Sequence, residues 1–264
     1  MPAIYAHYSF GKMVYRQLPV SLRDVVRNYK KEYIAGLQGP DFLFFFNPVV
    51  KNRYGRLADE IHAENASVFL ERAAKILGVT GIDSPEGAYI MGFICHFMLD
   101  SSCHGFVDRM AGETGISHME QETEFDRHML TQAGHDALSF PLHRLVDDSQ
   151  ELAETISVFY KGVSTFAVRV SHERMRRIKQ ILRAPGAGKR YMLTFLLGLV
   201  FGRDSEYVSA VMKTHANPDC EEICSGLDLR LHQAVPECVR EIELFVEAIM
   251  NDAALSKRFE RNFS

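Results

Sequence analysis

The sequence predicts an all-α protein, organised as a single mostly helical domain over residues 1–264. Two observations carry that prediction. Apolar residues recur at helical period through most of the chain with little strand-like alternation, and the 47% hydrophobic content of 264 residues supports a substantial core. No internal repeat, low-complexity tract or heptad run suggests another architecture.

Taken in order, Tyr8 to Leu18 reads as a short helix ended by Pro19. Ser21 and Asp24 form a capping-box start for a helix with Leu22, Val25, Val26 and Tyr29 on its packing side. In GLQGPDFLFFFNP, Gly and Pro surround Asp41 and four phenylalanines follow, which predicts a loop diving into the core with a carboxylate at its turn. Leu57 to Leu77 reads as helix in two pieces. His62 lies in the first, Val68, Leu70, Ala73 and Ile76 make a core stripe in the second, and Gly78 is the stop. Ser84 caps a helix with Pro85 at N1, and its apolar run through Ile90, Phe93, Ile94, Phe97 and Met98 predicts burial nearly all round. Gly105 and then Gly112 to Gly115 break it, and Ser117 with Glu120 caps a helix opening at His118. Beyond residue 134 the chain reads as helical packing: Leu145–Val170, His172–Leu182, Lys189–Phe201 and Pro236–Met250. RAPGAGKR, 183–190, is a connector whose GAGK lacks the spacing of a phosphate-binding loop.

The charge balance, 30 Lys and Arg against 34 Asp and Glu, gives no strong nucleic-acid signal. Five cysteines without CxxC spacing argue against a disulfide framework or zinc ribbon. Cys95 and Cys103 point off the histidine face and read as core. The N-terminal residues form no secretory apolar run, and Tyr191–Phe201 is too short to span a bilayer, so no transmembrane segment is expected. Cytoplasmic localisation is the expectation; the oligomeric state is open.

The candidate chemistry lies between Gly92 and Glu122. Four-residue steps drift only about 40° around a helix, so His96, Asp100 and His104 share one face. His118 and Glu122 repeat that spacing on the next helix. Imidazole and carboxylate are the ligands Zn²⁺ takes when it keeps a position open for water or substrate. Asp100 sits in one of the most apolar helices of the chain, where a carboxylate needs a partner or a metal. The remaining histidines, 128, 135, 143, 172, 215 and 232, read as solvated or capping.

His7, Asp41, His62, His96, Asp100, His104, His118 and Glu122, in that order, resemble the metal-ligand series of the bacterial zinc-dependent phospholipase C family, whose fold is shared with fungal zinc-dependent single-strand nucleases. GLQGPDFLFF and HFMLDSSCH resemble its cytoplasmic-type members. The resemblance is carried by residues 1–125. It implies two to three Zn²⁺ ions: one held by Asp41, His62, His96 and Asp100, a second by His104, His118 and Glu122, and a third by His7 with Asp100 as a bridge. In the family that third ion also takes the amine and carbonyl of an N-terminal tryptophan. This chain has no tryptophan, and removal of Met1 would put the Pro2 amine in its place. The DxxxH spacing from Asp100 to His104 is tighter than in the secreted enzymes, which shifts the second site.

The implied activity is zinc-dependent phosphoester hydrolysis, resembling phospholipase C, on a phosphodiester or phosphomonoester. Asp41 is the catalytic candidate, orienting or deprotonating the attacking water. The expected partner is a small phosphoester or phospholipid substrate. Two alternatives stand beside it: a non-catalytic zinc-binding helical scaffold, and an HD-type phosphohydrolase built on His135–Asp136 with His104 or His118 upstream and Asp147 or Asp148 downstream.

Overall fold

A 30-residue helix, Pro85–Thr114, runs through the middle of the protein, with other helices packed along it. The computed structural model describes residues 4–263, and among these there is no strand. The helices are α1 (Ile4–Gln17), α2 (Val20–Asn28), α3 (Lys30–Gly36), α4 (Arg53–Ala63), α5 (Ala66–Thr80), α6 (Pro85–Thr114), α7 (His118–Gln132), α8 (Gln150–Ser157), α9 (Thr165–Leu182), α10 (Ala187–Phe201), α11 (Glu206–Ser209) and α12 (Glu221–Asn251). The all-α expectation holds.

α6 begins as its sequence requires. The Ser84 hydroxyl accepts the Gly87 N–H at 3.0 Å, and Pro85 occupies the first turn. Its apolar residues from Ala88 to Leu99 are buried, and Phe93 stacks on Phe69 of α5 with centroids 4.0 Å apart. Gly105 and Gly112 do not break it; the helix continues to Thr114 and ends at Gly115 with φ +74°. An internal glycine costs only about 1 kcal/mol, less than the tertiary packing of so long a helix returns.

α3 meets α6 through two glycines. A methyl on Gly36 would fall 2.1 Å from the Tyr89 carbonyl oxygen, and one on Gly92 would fall 2.2 Å from that of Tyr33. This backbone-to-backbone crossing sets the following turn, Gln38–Pro40, against the middle of α6. The expected loop after it is a short 3₁₀ turn, Asp41–Phe45, with Asp41, Phe42, Leu43 and Phe45 buried.

Other expectations shift. Pro19, not a Ser21–Asp24 box, precedes α2, and no side chain caps it; Leu22, Val25 and Val26 are buried as expected. In α5 the buried stripe is Phe69, Leu70, Ala73 and Leu77, whereas Val68 is exposed. The stop there is Gly81, at φ +84°, rather than Gly78. The expected helix over 145–170 is two helices, α8 and the start of α9, separated by a turn with Gly162 at φ +79°. Pro236 lies inside α12 instead of opening it. The backbone acceptor it leaves unserved is that of His232, an exposed residue, and α12 buries Leu231, Val235, Cys238 and Ile242 against the core.

Candidate metal centre

All eight expected side-chain donors converge on the middle of α6. His7 comes from α1, Asp41 from the 3₁₀ turn, His62 from α4, His96, Asp100 and His104 from α6, and His118 and Glu122 from α7. They form three groups, each with ligand atoms within 4.8 Å of one another: His7, His96 and Asp100; Asp41, His62 and His96; and His104, His118 and Glu122. Pro2 lies outside the described residues.

Asp100 is the hub. Its Oδ1 lies 3.2 Å from His7 Nε2 and 3.6 Å from His104 Nε2, while its Oδ2 lies 3.1 Å from His96 Nε2 and 3.9 Å from His62 Nε2. Asp41 Oδ1 is 3.1 Å from His62 Nε2, and Glu122 Oε1 is 3.1 Å from His118 Nε2. Ligands ~2.0–2.1 Å from a zinc ion lie about 3.3 Å apart across a tetrahedron, so these separations suit donors sharing a cation.

His96 gives the sharpest test of that fit. It is fully buried, yet neither ring nitrogen has a hydrogen-bond partner among the described residues. Its Nε2 faces the Asp100 carboxylate at 3.1 Å without the alignment of a hydrogen bond, the disposition of two lone pairs directed at one ion. A fully buried imidazole left this way would be costly as a purely structural residue. By contrast, His62 Nδ1 lies 2.8 Å from the Ala58 carbonyl, which fixes a proton on Nδ1 and leaves Nε2 as the ring nitrogen that faces Asp41.

The unusual sequence around Asp41 has a local cause. Gly39, at φ +49°, lies so close to the His96 ring that a methyl group there would fall 2.0 Å from Cδ2. The Gly39 carbonyl accepts the Tyr160 hydroxyl at 3.4 Å, and Tyr160 is paired with Tyr89 at 2.7 Å. Behind the turn, buried His172 stacks on Phe42 at 4.7 Å with Nδ1 3.0 Å from the Val168 carbonyl. His172 is therefore a packing residue, not the solvated one expected. From the other end of the chain, Phe263 packs 4.9 Å from the His62 ring and 5.8 Å from that of His96.

The electrostatics follow from this crowding. Burial pushes the Asp100 carboxyl up, but His96, His104 and His7 outweigh it and hold it well below the ordinary carboxylate range. Burial likewise opposes ionisation of Asp41, yet His96 and His62 bring it down to about 2. Burial lowers His62, but hydrogen bonding and attraction to Asp41 lift it to about 9. These carboxylates stay ionised, as ligands must be.

Two residues beyond the expected set complete the site. Asp126, one turn after Glu122 on α7, is buried and accepts the Ala6 N–H at 2.9 Å. It thereby holds the first turn of α1, and with it His7, at the metal cluster. Burial raises Asp126 to about 6, against the pull of Lys179 and the backbone N–H groups of Ala6 and Tyr5. Lys179 of α9 reaches the same cleft, which is lined also by Glu122, Thr123, Phe140 and Arg183. Burial lowers its pKa, while Asp126, Glu122 and Asp41 favour its charged form. Asp126 carried an i+4 signal after Glu122. Lys179 carried none, because its helix approaches from a distant part of the chain.

The HD arrangement is not formed. Asp136 is exposed and bonded to Ser139 at 2.6 Å, and His135 packs at 4.7 Å against Phe140. Asp147 and Asp148 are occupied with Ser149 and Arg176. All five cysteines are buried and free, with Cys95 and Cys103 in the core as expected.

A family model described as zinc dependent phospholipase C matches residues 6–167, more than half of the chain. The chain belongs to the zinc-dependent phospholipase C family. Neither the curated proteins nor the solved structures contain a match. Zinc dependence at the family level agrees with the donor set, which is imidazole and carboxylate with no thiolate. The matched segment contains all eight donors and Asp126, whereas Lys179 lies beyond it.

Proposed function

We propose that the chain is a zinc-dependent phosphoester hydrolase acting on phospholipid-type phosphodiesters, with two to three zinc ions held by His7, Asp41, His62, His96, Asp100, His104, His118 and Glu122. The observation that carries this reading is the sharing of Asp100 among four imidazoles beside a cleft that holds a lysine. Zinc bound by such donors acts as a Lewis acid on a phosphoryl oxygen and makes water more acidic.

The protein's own residues divide the remaining work. Asp41 accepts a hydrogen bond from the attacking water and orients it toward phosphorus. Among the described residues His104, His118 and Glu122 supply three ligands, one fewer than a closed structural site takes, which suits a position shared with substrate. Lys179 lines the cleft, where its charge would attract the phosphodiester anion and offset the carboxylates of Asp126 and Glu122. Hydrolysis forms a bond from the water oxygen to phosphorus and breaks the phosphorus–oxygen bond to the alcohol, which leaves with a proton.

The test is a substrate panel offered to zinc-loaded protein: a soluble short-chain phosphatidylcholine, a chromogenic phosphodiester and the matching monoester. Release of alcohol from a diester, abolished by a chelator and restored by zinc, supports the proposal. A chain that carries zinc at full occupancy and turns over none of the panel is the non-catalytic scaffold instead.

A further inference from the structure

The segment after the family-matched region has a surface unlike the rest of the molecule. Between Arg174 and Arg203 there are eight Lys and Arg and no Asp or Glu, in a chain whose formal net charge is −4. Within this segment, α10 buries only Leu193. It exposes Tyr191, Met192, Phe195, Leu196, Leu199 and Val200, between 47% and 75% each. These six occupy two adjacent i, i+4, i+8 rows, so they make one broad apolar face.

The inner side of α10 anchors it beside the catalytic cleft. Leu193 packs with Ala184 and Val211 in a small cluster of their own, joined by Leu182 and Leu197. Leu182 and Ala184 also line the cleft that contains Glu122 and Lys179. At its far end, Phe201 packs 4.4 Å from Tyr207, whose hydroxyl donates to the Pro48 carbonyl at 3.1 Å. Next to Pro48, Val49 and Val50 are 63% and 58% exposed, and they extend the apolar rim.

We propose that α10, with its basic flanks, docks the protein on an anionic lipid surface and sets the catalytic cleft against it. A helix with large apolar side chains on one face and cations at its borders suits the interfacial zone of a bilayer. Arg183, Lys189, Arg190 and Arg203 border the apolar face, and none forms an ion pair among the described residues. Each such cation gains from a negatively charged leaflet. A second copy of the chain fits less well, because a two-fold contact through this face would bring the same cations together. Docking gives the proposed phosphodiester activity access to lipid and rests on that reading only for its purpose, not for its occurrence.

The experiment is co-sedimentation of the zinc-loaded chain with phosphatidylcholine vesicles, with and without phosphatidylserine. Two variants accompany it: F195E/L199E, which charges the apolar face, and K189E/R203E, which reverses two border cations. Wild type is expected on the phosphatidylserine vesicles at low salt and to dissociate as salt rises; each variant loses about tenfold or more in partitioning. Turnover of a soluble short-chain substrate stays within about twofold of wild type in both, which shows that the fold and metal centre are intact. Failure of wild type to bind anionic vesicles overturns the proposal, as does equal binding by both variants. A wild-type dimer dissociated by F195E/L199E also overturns it, by showing that a second copy covers the face. Docking without turnover would sink the catalytic reading and leave this one standing, and turnover without docking would do the reverse.

Discussion

α6 and α10 are both rich in large apolar side chains, yet they lie in opposite environments. α6 is long and apolar enough to cross a membrane, but 72% of its most apolar window is buried inside the fold. α10 leaves nearly all of its apolar side chains at the surface. Apolar content therefore does not decide burial. The charged residues do: α6 carries Asp100 in its apolar stretch, which only a partner or metal can satisfy, whereas α10 has Lys189 and Arg190 in its first turn and Arg203 just past its end.

Substitutions along the two helices sharpen that contrast. Phe93→Ala removes a ring wholly buried in α6 and stacked on Phe69, and should destabilise the protein by about 3–5 kcal/mol in denaturant titration. Unchanged stability would mean that α6 is not the core. Gly39→Ala demands a left-handed backbone and a methyl 2.0 Å from the His96 ring. A loss of about 1–3 kcal/mol is expected, with lower zinc content if the neighbour that must move, His96, holds metal as proposed. A variant that keeps full zinc would detach His96 from the metal set.

Lys179→Met tests the cleft beside α10 rather than the metal. Turnover of a soluble phosphodiester should fall about 10–100-fold with zinc per chain unchanged. An equal fall in zinc would make Lys179 a structural counter-ion to Glu122 and Asp126. The smallest effect belongs to Leu199→Ala, on a side chain 73% exposed. Its stability should lie within about 0.5 kcal/mol of wild type. A loss as large as that at Phe93 would place α10 inside an assembly.

Much of the candidate metal centre was legible because its donor residues follow rules of one helix. The i, i+4 repeats of His96, Asp100, His104 and of His118, Glu122 show directly in the sequence, and the structure brings them together. Asp41 was legible from the Gly and Pro around it, although its position under His96 depends on the Gly36–Gly92 crossing, a contact between distant segments. Helix ends read less well. Gly78, Gly105 and Gly112 looked like stops, and Pro236 like a start, because local propensity is weaker than the packing of α5, α6 and α12. Phe263, His172 and Lys179 reach the site from the second half of the chain, and no local pattern announces a contact made by folding.

The central claim is that Asp100 joins the donor groups into one multinuclear zinc site. Elemental analysis of chelator-free protein beside Asp100→Ala measures it most directly. About two to three zinc ions per chain are predicted in the wild type, falling in the variant. No bound transition metal after zinc is supplied, or the same zinc content in Asp100→Ala, would contradict it.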